Sequence, residues 1–293
     1  MGELSKYDEY TAFALEAVLG AMGVIRALKG GGTEVVATRD GSYKSWDPET
    51  FRVDKDTEDH FIDCVRTSRL NAVLLSEEAK RLDLSTSYTR SKPRVYVISD
   101  PFDGSWLYKR GIPAFWYTTL AVYDEAGQPL AAVIGDCCAQ TVDFCDRHQA
   151  YTGKVRDGLL VDAAPIRPST ETELASACLE TYLMKPKFMY PTVKRFEPLF
   201  QSMKFLVPNG GPGGFGDVAT GRVDVYFAYQ QPYVEIFSGV AVAQQAGCVV
   251  TTFDGRELQF SDDIEQSFDV LCSATPELQE QVLAAIRRCT EGG

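Results

Sequence analysis

Apolar residues near the start of the chain recur with the period of an α-helix. Between residues 7 and 28 they stand three or four positions apart, and three glycines follow at 30–32. Such spacing buries one face of a helix, and glycine commonly follows a helix end. A first helix is therefore predicted over 7–28 and a second from Asp54 to about Arg69. The mixed polar segment 33–53 is predicted to be a strand pair or a mobile loop.

Short apolar runs along the rest of the chain predict β-strands that alternate with helices. The predicted strands cover 71–75, 94–99, 115–123, 130–134, 149–152, 179–184, 204–207, 223–227, 249–253 and 270–273. The further predicted helices cover 192–202, 236–246 and 276–288. The segment 208–216 holds five glycines and is expected to be a break between elements. This alternation predicts an α/β protein, and we expect two subdomains, 1–155 and 156–293.

Composition and charge narrow the class of protein. The chain has 293 residues and a net charge of −12, with 45% apolar and 24% charged residues. These fractions are ordinary for a soluble globular enzyme. The negative charge argues against nucleic acid and anionic membranes as partners, because both are bound through clustered lysine and arginine. The acids form a solubilising surface or gather to hold divalent cations, and both can be true.

Cysteine and histidine stand in no recognisable catalytic pattern. The eight cysteines include no CxxC pair and no zinc-type spacing with histidine. The two histidines, His60 and His148, lie in no nucleophile or metal context. The N-terminal segment is polar, and no apolar run is expected to reach membrane-spanning length. We therefore expect a cytoplasmic protein with reduced cysteines, whose chemistry rests on carboxylates.

The strongest candidate for that chemistry is the sequence DPFDGS at 100–105. Asp100 precedes proline, which favours extended backbone, so the strand is expected to end there and the chain to turn. Asp100 and Asp103 would then project from one strand end and one tight turn. Glycine permits unusual dihedral angles, so the amides of Gly104 and Ser105 can face an anion. Carboxylates on a rigid turn suit Mg²⁺ together with a phosphate.

Each acidic residue of interest also has a plain structural interpretation. DPFDGS could be a capped turn, and its two aspartates are three positions apart, unlike the DxD of haloacid-dehalogenase phosphatases. Glu77 follows a predicted buried strand but could form a solvated pair with Glu78. Glu235 precedes an apolar helix and could serve only the helix dipole. Asp54 could be only an N-cap.

Four segments considered together resemble one known family. They are VDKDTE at 53–58, LLSEE at 74–78, DPFDGS at 100–105 and VEIFSGVAVAQQAG at 234–247. In order and spacing this set resembles the inositol monophosphatase / fructose-1,6-bisphosphatase superfamily, over roughly residues 50–290. The resemblance implies a layered α/β/α/β/α sugar-phosphatase fold with the metal site between two subdomains.

The resemblance also implies a set of metal ligands. Glu77, Asp100 and the carbonyl of Phe102 would hold one Mg²⁺. Asp100, Asp103 and Glu235 would hold a second, and Glu77 would help to hold a third. Mn²⁺ would be able to replace Mg²⁺.

Further implied roles concern water, phosphate and substrate. Asp54 and Ser105 would orient the attacking water, with Glu77 as a third catalytic residue. Gly104 and Ser105 would bind the phosphate. The residues expected to contact the substrate are Asp103, Asn209, Gly210, Gly211 and Gln230, and Gln231 is a further candidate by position.

The implied activity is a Mg²⁺-dependent phosphatase for small sugar or polyol phosphates, of the inositol phosphate or fructose 1,6-bisphosphate type. Water would attack directly, without a phosphoenzyme. The alternatives are a 3′(2′),5′-bisphosphate nucleotidase of the same superfamily and a non-catalytic anion-binding relative. Retention of all five motif acids speaks against the last; they are Asp54, Glu77, Asp100, Asp103 and Glu235. The expected partner is a small phosphorylated metabolite, and a homodimer is a further expectation.

Several positions depart from the family pattern. Ser105 and Glu235 stand where inositol monophosphatases carry threonine and aspartate, and both choices resemble fructose-1,6-bisphosphatases. Ala228 replaces the glutamate that grips an inositol hydroxyl, and Tyr229 replaces the lysine that grips a second phosphate. An absent polar group cannot discriminate for its partner. A broad substrate range is therefore expected, tilted toward sugar phosphates.

Overall fold

The computed structural model describes residues 4–39, 45–264 and 266–291. In these residues the chain forms seven α-helices and fifteen β-strands. The helices are α1 (Glu9–Ala27), α2 (Arg52–Thr67), α3 (Ser105–Lys109), α4 (Pro186–Gln201), α5 (Pro212–Ala219), α6 (Tyr233–Ala246) and α7 (Pro276–Glu291). The strands are β1 (Val35–Thr38), β2 (Glu49–Phe51), β3 (Asn71–Ser76), β4 (Lys80–Asp83), β5 (Arg94–Asp103), β6 (Tyr117–Asp124), β7 (Pro129–Asp136), β8 (Thr141–Cys145), β9 (Ala150–Arg156), β10 (Leu159–Pro165), β11 (Cys178–Glu180), β12 (Phe205–Val207), β13 (Val225–Pro232), β14 (Val249–Thr252) and β15 (Ser267–Ser273).

The strands form three sheets. β1 and β2 form an antiparallel pair, which agrees with the strand pair predicted as one alternative for 33–53. Residues 40–44 of that segment lie outside the described residues. The large sheet has the order β10-β9-β8-β7-β6-β5-β3-β4, with β3 and β5 parallel. The third sheet has the order β12-β11-β13-β15-β14, in which β11 is parallel to both neighbours.

Helices and sheets stack in five layers. α1 and α2 pack on one face of the eight-stranded sheet, and their apolar residues form one core with it. α5 and α6 lie between the two large sheets in a second core. α4 and α7 cover the outer face of the five-stranded sheet. The layer order α/β/α/β/α confirms the predicted fold class.

α1 is a core helix by its packing. By length and composition alone, α1 could cross a membrane. The expectation that no apolar segment reaches membrane-spanning length was therefore wrong for this helix. Its buried residues, among them Leu15, Val18 and Met22, nevertheless pack against the eight-stranded sheet. His60 of α2 lies with its Nε2 2.9 Å from the carbonyl oxygen of Ala17, a contact that joins α2 to α1.

The glycine-rich segment departs most from the predicted elements. Instead of a break over 208–216, residues 212–219 form α5. A Cβ at Gly213 would come within 2.4 Å of Tyr117 in β6, and one at Gly214 within 2.5 Å of Tyr226 in β13. Glycine in a helix interior costs about 1 kcal/mol relative to alanine. Here the missing side chains let α5 approach both sheets, and this close packing overrides the local preference.

Three strands were not predicted from the sequence. β4 and β10 are mostly exposed edge strands, and β8 contains a buried aspartate, so none shows a clear apolar pattern. β9 and β10 form a hairpin that extends the eight-stranded sheet to Pro165. The predicted division at residue 155 falls within β9 and stays a prediction.

Candidate metal centre and active-site cavity

One cavity collects most of the predicted site residues. It has a volume of about 490 Å³ and lies where β3, β5 and α2 face α5 and α6. Its acidic lining residues are Asp47, Glu49, Asp54, Glu77, Glu78, Asp100, Asp103 and Glu235, and its basic lining residues in the described chain are Arg39 and Lys185. The excess of carboxylates makes this cavity attractive to cations.

A bulge in β5 brings Asp100 and Asp103 together. The sequence predicted that this strand ends at Asp100. Instead, β5 continues to pair with β6 up to Asp103. Asp100 pairs with Thr119 and Asp103 with Tyr117, so β5 holds one extra residue there. In a regular strand, side chains three positions apart point to opposite faces. The extra residue turns both aspartates toward the same cavity.

Glu235 completes a group of three carboxylates. Oxygen atoms of Asp100, Asp103 and Glu235 lie within 4.8 Å of one another. Asp100 is 1% exposed and Glu235 8%. Glu235 reaches this point from the first turn of α6, as its position before the apolar run predicted. Ionised carboxylates this close repel one another unless a cation lies among them.

Gly104 forms the turn that follows the bulge. It has a φ of +92°, and a Cβ there would lie 2.1 Å from the carbonyl oxygen of Phe115, so only glycine fits. The turn leads into α3, whose first residue Ser105 donates a hydrogen bond to the carbonyl of Phe102 at 3.4 Å. Phe102, Gly104 and Ser105 all line the cavity beside the two aspartates.

Asp54 approaches the same turn from the start of α2. It is not the N-cap, which is Phe51, but the third helical residue, and its Oδ2 accepts a hydrogen bond from the Phe51 amide at 2.8 Å. Burial raises the pKa of Asp54 well above its usual range, and the charges of Glu77 and Glu78 add to the rise. Hydrogen bonds from Phe51 and Ser105 oppose it. Asp54 and Ser105, predicted to act as a pair, therefore interact.

Glu77 follows β3, as predicted, on a turn held by Glu58. One oxygen of the buried Glu58 carboxyl accepts hydrogen bonds from the Ser76 hydroxyl and from the Ala79 amide, the latter at 2.8 Å. These two donors flank the turn that carries Glu77. The glutamate of the D-x-x-x-E segment thus positions from α2 the turn that carries the candidate ligand Glu77, a role that the sequence analysis did not assign.

Arg39 is a cavity residue that the sequence analysis missed. Its Nη1 lies 2.6 Å from Oε1 of Glu77 and 2.7 Å from Oε1 of Glu78. Thr50 donates a hydrogen bond to the other oxygen of Glu78 at 2.6 Å. Burial and the charge of Glu77 raise the pKa of Glu78 to about 7, although Arg39 and Thr50 lower it. No sequence motif links residue 39 with 77, because only the β1–β2 pair brings them together.

The loop 209–211 lines the cavity on the side of the five-stranded sheet. Gly211 has a φ of +69°, and a Cβ there would lie 2.5 Å from Oδ2 of Asp103. The backbone of this loop therefore lies directly against one of the three carboxylates. The side chain of Asn209 is turned to Glu180, to which its Nδ2 donates a hydrogen bond at 2.8 Å. Asn209, Gly210 and Gly211 all line the cavity.

Gln230 is not brought to this cavity. It is exposed, with a φ of +52°, and its backbone N–H donates to Asp269 at 2.9 Å. It lines a neighbouring cavity of about 360 Å³. A pairing irregularity in β13 between Ala228 and Gln231 changes the side-chain alternation, so that Gln231 lines the main cavity instead. Position in the sequence could not distinguish the two glutamines.

Aromatic residues line another part of the cavity and were not predicted. Trp46, Tyr182 and Phe188 are among the lining residues, and we call them the aromatic wall. The Trp46 and Phe188 rings are 5.2 Å apart, and those of Tyr182 and Phe188 are 5.5 Å apart. Lys185 lies in the same wall and forms an ion pair with Asp47. The wall offers flat apolar surface with a cation beside it.

The donor set of the cavity fits a hard divalent cation. The lining side chains that could act as ligands are carboxylates, and no histidine or cysteine in the described chain lines the cavity. Mg²⁺ prefers carboxylate, water and phosphate oxygens, and Mn²⁺ accepts the same set. A cluster of acidic residues suited to a metal ion is therefore present.

The fold and this acidic site define a class of protein. The model of the inositol monophosphatase family matches residues 6–291, and the chain belongs to that family. It is 25% identical over 259 residues to the fructose-1,6-bisphosphatase/inositol-1-monophosphatase of Thermococcus kodakarensis, which covers 87% of this chain and 90% of that protein. It is 22% identical over 254 residues to the Nus factor SuhB of Pasteurella multocida, covering 84% and 85%. The solved structure of the extragenic suppressor protein SuhB of Bartonella henselae has a TM-score of 0.74 at 17% identity, covering 93% and 96%, and confirms the fold.

Proposed function

We propose that this chain is a Mg²⁺-dependent phosphomonoesterase for small sugar or polyol phosphates. The observation that carries the proposal is the approach of Asp100, Asp103 and Glu235 to within 4.8 Å in the cavity that also holds Asp54 and Ser105. Oxygen ligands for cations and a pair that can orient water are the two parts that this hydrolysis requires.

The cavity acids would divide the cations among them. Glu77, Asp100 and the carbonyl of Phe102 would hold one Mg²⁺, and Asp100, Asp103 and Glu235 a second. Glu77 would also contribute to a third. When bound, Mg²⁺ lowers the pKa of water and neutralises charge on phosphate oxygens.

Asp54 and Ser105 would orient the attacking water. An ionised Asp54 only accepts hydrogen bonds, whereas the Ser105 hydroxyl both donates and accepts. A water molecule held by both has a defined lone-pair direction. Direct attack breaks the phosphorus–oxygen ester bond and yields inorganic phosphate and the free alcohol, without a phosphoenzyme. The raised pKa of Asp54, caused mainly by burial, makes its carboxylate a stronger proton acceptor than an exposed aspartate.

The substrate is proposed to lie between the Gly104 turn and the loop 209–211. The amides of Gly104 and Ser105 would bind the phosphate, while Gly210, Gly211 and Asp103 would face the alcohol portion. Gln231, which lines the cavity, would contact the substrate in place of Gln230.

The two positions expected to select a substrate do not line the cavity. Ala228 is buried in the core between the sheets. Tyr229 stacks on Phe253 and accepts a hydrogen bond from Arg195. Neither therefore grips inositol or a second phosphate, which supports the expectation of a broad substrate range.

The aromatic wall favours a second candidate, a 3′(2′),5′-bisphosphate nucleotidase. Trp46, Tyr182 and Phe188 offer ring faces on which a nucleobase could stack, and Lys185 stands beside them. Such a slot was not readable in the sequence. Lys185 is paired with Asp47, however, and is not left for a second phosphate. We therefore place this candidate second.

A non-catalytic anion-binding role is the third candidate, since one relative is a Nus factor. Against it stands the assembly of all five motif acids in one cavity, which binding of an anion alone does not require. We also propose a cytoplasmic location, supported by eight cysteines that are all free thiols. The net charge of −12 argues against a nucleic-acid partner. A homodimer stays a prediction.

Phosphate release from a panel of monoesters tests these candidates. The panel is fructose 1,6-bisphosphate, inositol 1-phosphate, glycerol 2-phosphate and 3′-phosphoadenosine 5′-phosphate, each with Mg²⁺ and with a chelator. We expect Mg²⁺-dependent release from several sugar or polyol phosphates. A preference above about a thousandfold for the nucleotide, or about 4 kcal/mol in transition-state binding, would favour the second candidate. No release from any compound would favour the third.

A further inference from the structure

Glu180 is a fully buried acid outside the cavity. It ends β11, has 0% exposure and lies between the parallel strands β12 and β13. A buried carboxyl group without compensation is costly, so its surroundings must hold it neutral or pair it. Burial raises the pKa of Glu180 well above its usual range, and the nearby charge of Asp217 adds to the rise. Burial therefore favours the uncharged form of this carboxyl group.

The Glu180 carboxyl group connects β11 to the loop 209–211. Its Oε1 accepts a hydrogen bond from Nδ2 of Asn209 at 2.8 Å, and both residues are buried. Asp217 of α5 accepts a hydrogen bond through its Oδ1 from Nη1 of Arg222 at 2.9 Å. The loop 209–211 is thus anchored to the end of β11.

The loop has little room to move from this anchor. A Cβ at Gly210 would lie 2.8 Å from the Cβ of Tyr182 and 3.2 Å from the hydroxyl oxygen of Tyr226. Gly211 lies against Oδ2 of Asp103, as described above. The loop is therefore clamped between β13, the chain after β11 and a carboxylate of the candidate metal centre. The hydrogen bond from Asn209 to Glu180 fixes the first residue of this loop.

We propose that Glu180, through Asn209, is a positioning residue that holds the loop 209–211 against Asp103, a candidate ligand of the cation that would bind the phosphate. The inference rests on the proposed function in taking this cavity as the phosphate site. Glu180 itself lines no part of the cavity. It would act only by fixing Gly210 and Gly211, so its loss would change binding and turnover without removing a ligand.

Glutamine is the conservative replacement, because burial favours the uncharged form of Glu180. Glu180→Gln keeps an acceptor oxygen for Asn209. Glu180→Leu has a similar volume but removes this hydrogen bond. Asn209→Ala removes the same contact from the side of the loop. Glu173→Leu, at an exposed glutamate seven positions before Glu180, is the matched control.

Binding of inorganic phosphate, measured by calorimetry with Mg²⁺ present, is the first readout. A displacement of a site element by about 1 Å can cost up to about a hundredfold. We expect Glu180→Leu and Asn209→Ala each to weaken phosphate binding by about tenfold or more. Glu180→Gln and Glu173→Leu should stay within about threefold of the wild type. The double variant of Glu180→Leu and Asn209→Ala should be no weaker than the worse single variant, because both act through one contact.

Turnover and thermal unfolding distinguish positioning from general destabilisation. Each variant is assayed at least ten degrees below its own Tm, and we expect KM to rise more than kcat falls. If Glu180→Leu does not fold, Asn209→Ala and Glu180→Gln still test the same contact. Unchanged phosphate affinity in Asn209→Ala, multiplicative losses in the double variant, or a wild type that binds no phosphate would overturn the proposal. A wild type that binds phosphate but hydrolyses no monoester would contradict the proposed function. The positioning role of Glu180 could then still be tested through phosphate binding.

Discussion

Two groups of acidic residues in this molecule meet the cost of burial in different ways. The open cluster is defined by six residues that face one cavity: Asp54, Glu77, Glu78, Asp100, Asp103 and Glu235. The closed cluster comprises Asp143, Glu180 and Asp217 with Arg222, around α5 and outside that cavity. In the closed cluster, Nη1 of Arg222 lies 3.3 Å from Asp143 and 2.9 Å from Asp217, and burial raises the pKa of Glu180.

The comparison shows how charge arrangement separates a structural cluster from a functional one. In the closed cluster, Arg222 pairs with Asp143 and Asp217, and the Asn209 amide donates to Glu180, so each carboxyl group has a partner within the protein. The open cluster has Arg39 beside two of its members, but Asp100, Asp103 and Glu235 converge on one point in a cavity. Such a group is stabilised by a cation from solution.

The largest expected effect comes from removing one charge at the centre of the open cluster. Asp100→Asn should lower kcat/KM by at least about 10⁴-fold, because an amide cannot carry the charge that bridging two cations needs. It should also abolish the rise in Tm that Mg²⁺ gives the wild type. The measurements are phosphate release and thermal unfolding with and without Mg²⁺.

The closed cluster provides the matched control for that experiment. Asp143→Asn makes the same chemical change at a buried aspartate that does not line the cavity. It should keep activity within about threefold, because Asp217 still holds Arg222 at the shorter distance. A folded Asp100→Asn protein with wild-type turnover would contradict the assignment of the open cluster.

The next largest effect is expected at Asp54 and Ser105, the pair proposed to orient the attacking water beside the open cluster. Asp54→Asn and Ser105→Ala should each lower kcat by roughly 10²–10⁴-fold, the usual scale of positioned proton handling. The double variant should lose little more than the worse single variant, since the two residues would act as one unit. Single-turnover kinetics at saturating Mg²⁺ measure this. Losses that multiply in the double variant would show that the residues act separately.

A smaller effect is expected in the pH dependence of stability, from the closed cluster. Burial raises the pKa of Asp143 from 3.8 to about 6, although Arg222 and Thr152 lower it. The folded state therefore binds this proton more tightly than the unfolded chain does. The contribution to stability is present below about pH 4 and is lost as pH rises through about 6, by at most about 3 kcal/mol.

Urea unfolding between pH 4 and pH 7.5 measures this contribution. The free energy of unfolding of the wild type, relative to Asp143→Asn, should fall as pH rises across that window. Asp157→Asn, at an exposed turn, should run parallel to the wild type. A difference between the wild type and Asp143→Asn that does not change with pH would mean that Asp143 is ionised throughout.

The smallest effect distinguishes the two adjacent glutamines. Gln231→Ala should raise KM by about two- to tenfold, the value of one neutral hydrogen bond to substrate. Gln230→Ala should change KM by less than twofold, since Gln230 faces the neighbouring cavity. Steady-state kinetics with the best substrate of the panel decides between them. A larger loss for Gln230→Ala would place the substrate in the neighbouring cavity.

Three of the candidate acids were predictable in position because each stands where a regular element begins or ends. Glu77 follows β3, and Asp54 and Glu235 lie in the first turns of α2 and α6, while the resemblance of four segments to one family selected them as a set. Their partners were not predictable. Arg39 and Glu180 belong to no motif and reach the site through pairing of distant strands.

The amino-acid sequence by itself determined the helix and strand periods and the set of acids that chemistry could use. These properties depend on neighbours within a few positions, since side-chain burial repeats every two or 3.6 residues. Tertiary structure alone decided the bulge in β5 that turns Asp100 and Asp103 toward one cavity. It also decided the irregularity in β13 that places Gln231 rather than Gln230 in the main cavity, and the formation of α5 around Gly213 and Gly214. Each of these depends on a partner strand or ring far away in the chain, whose position no local pattern specifies.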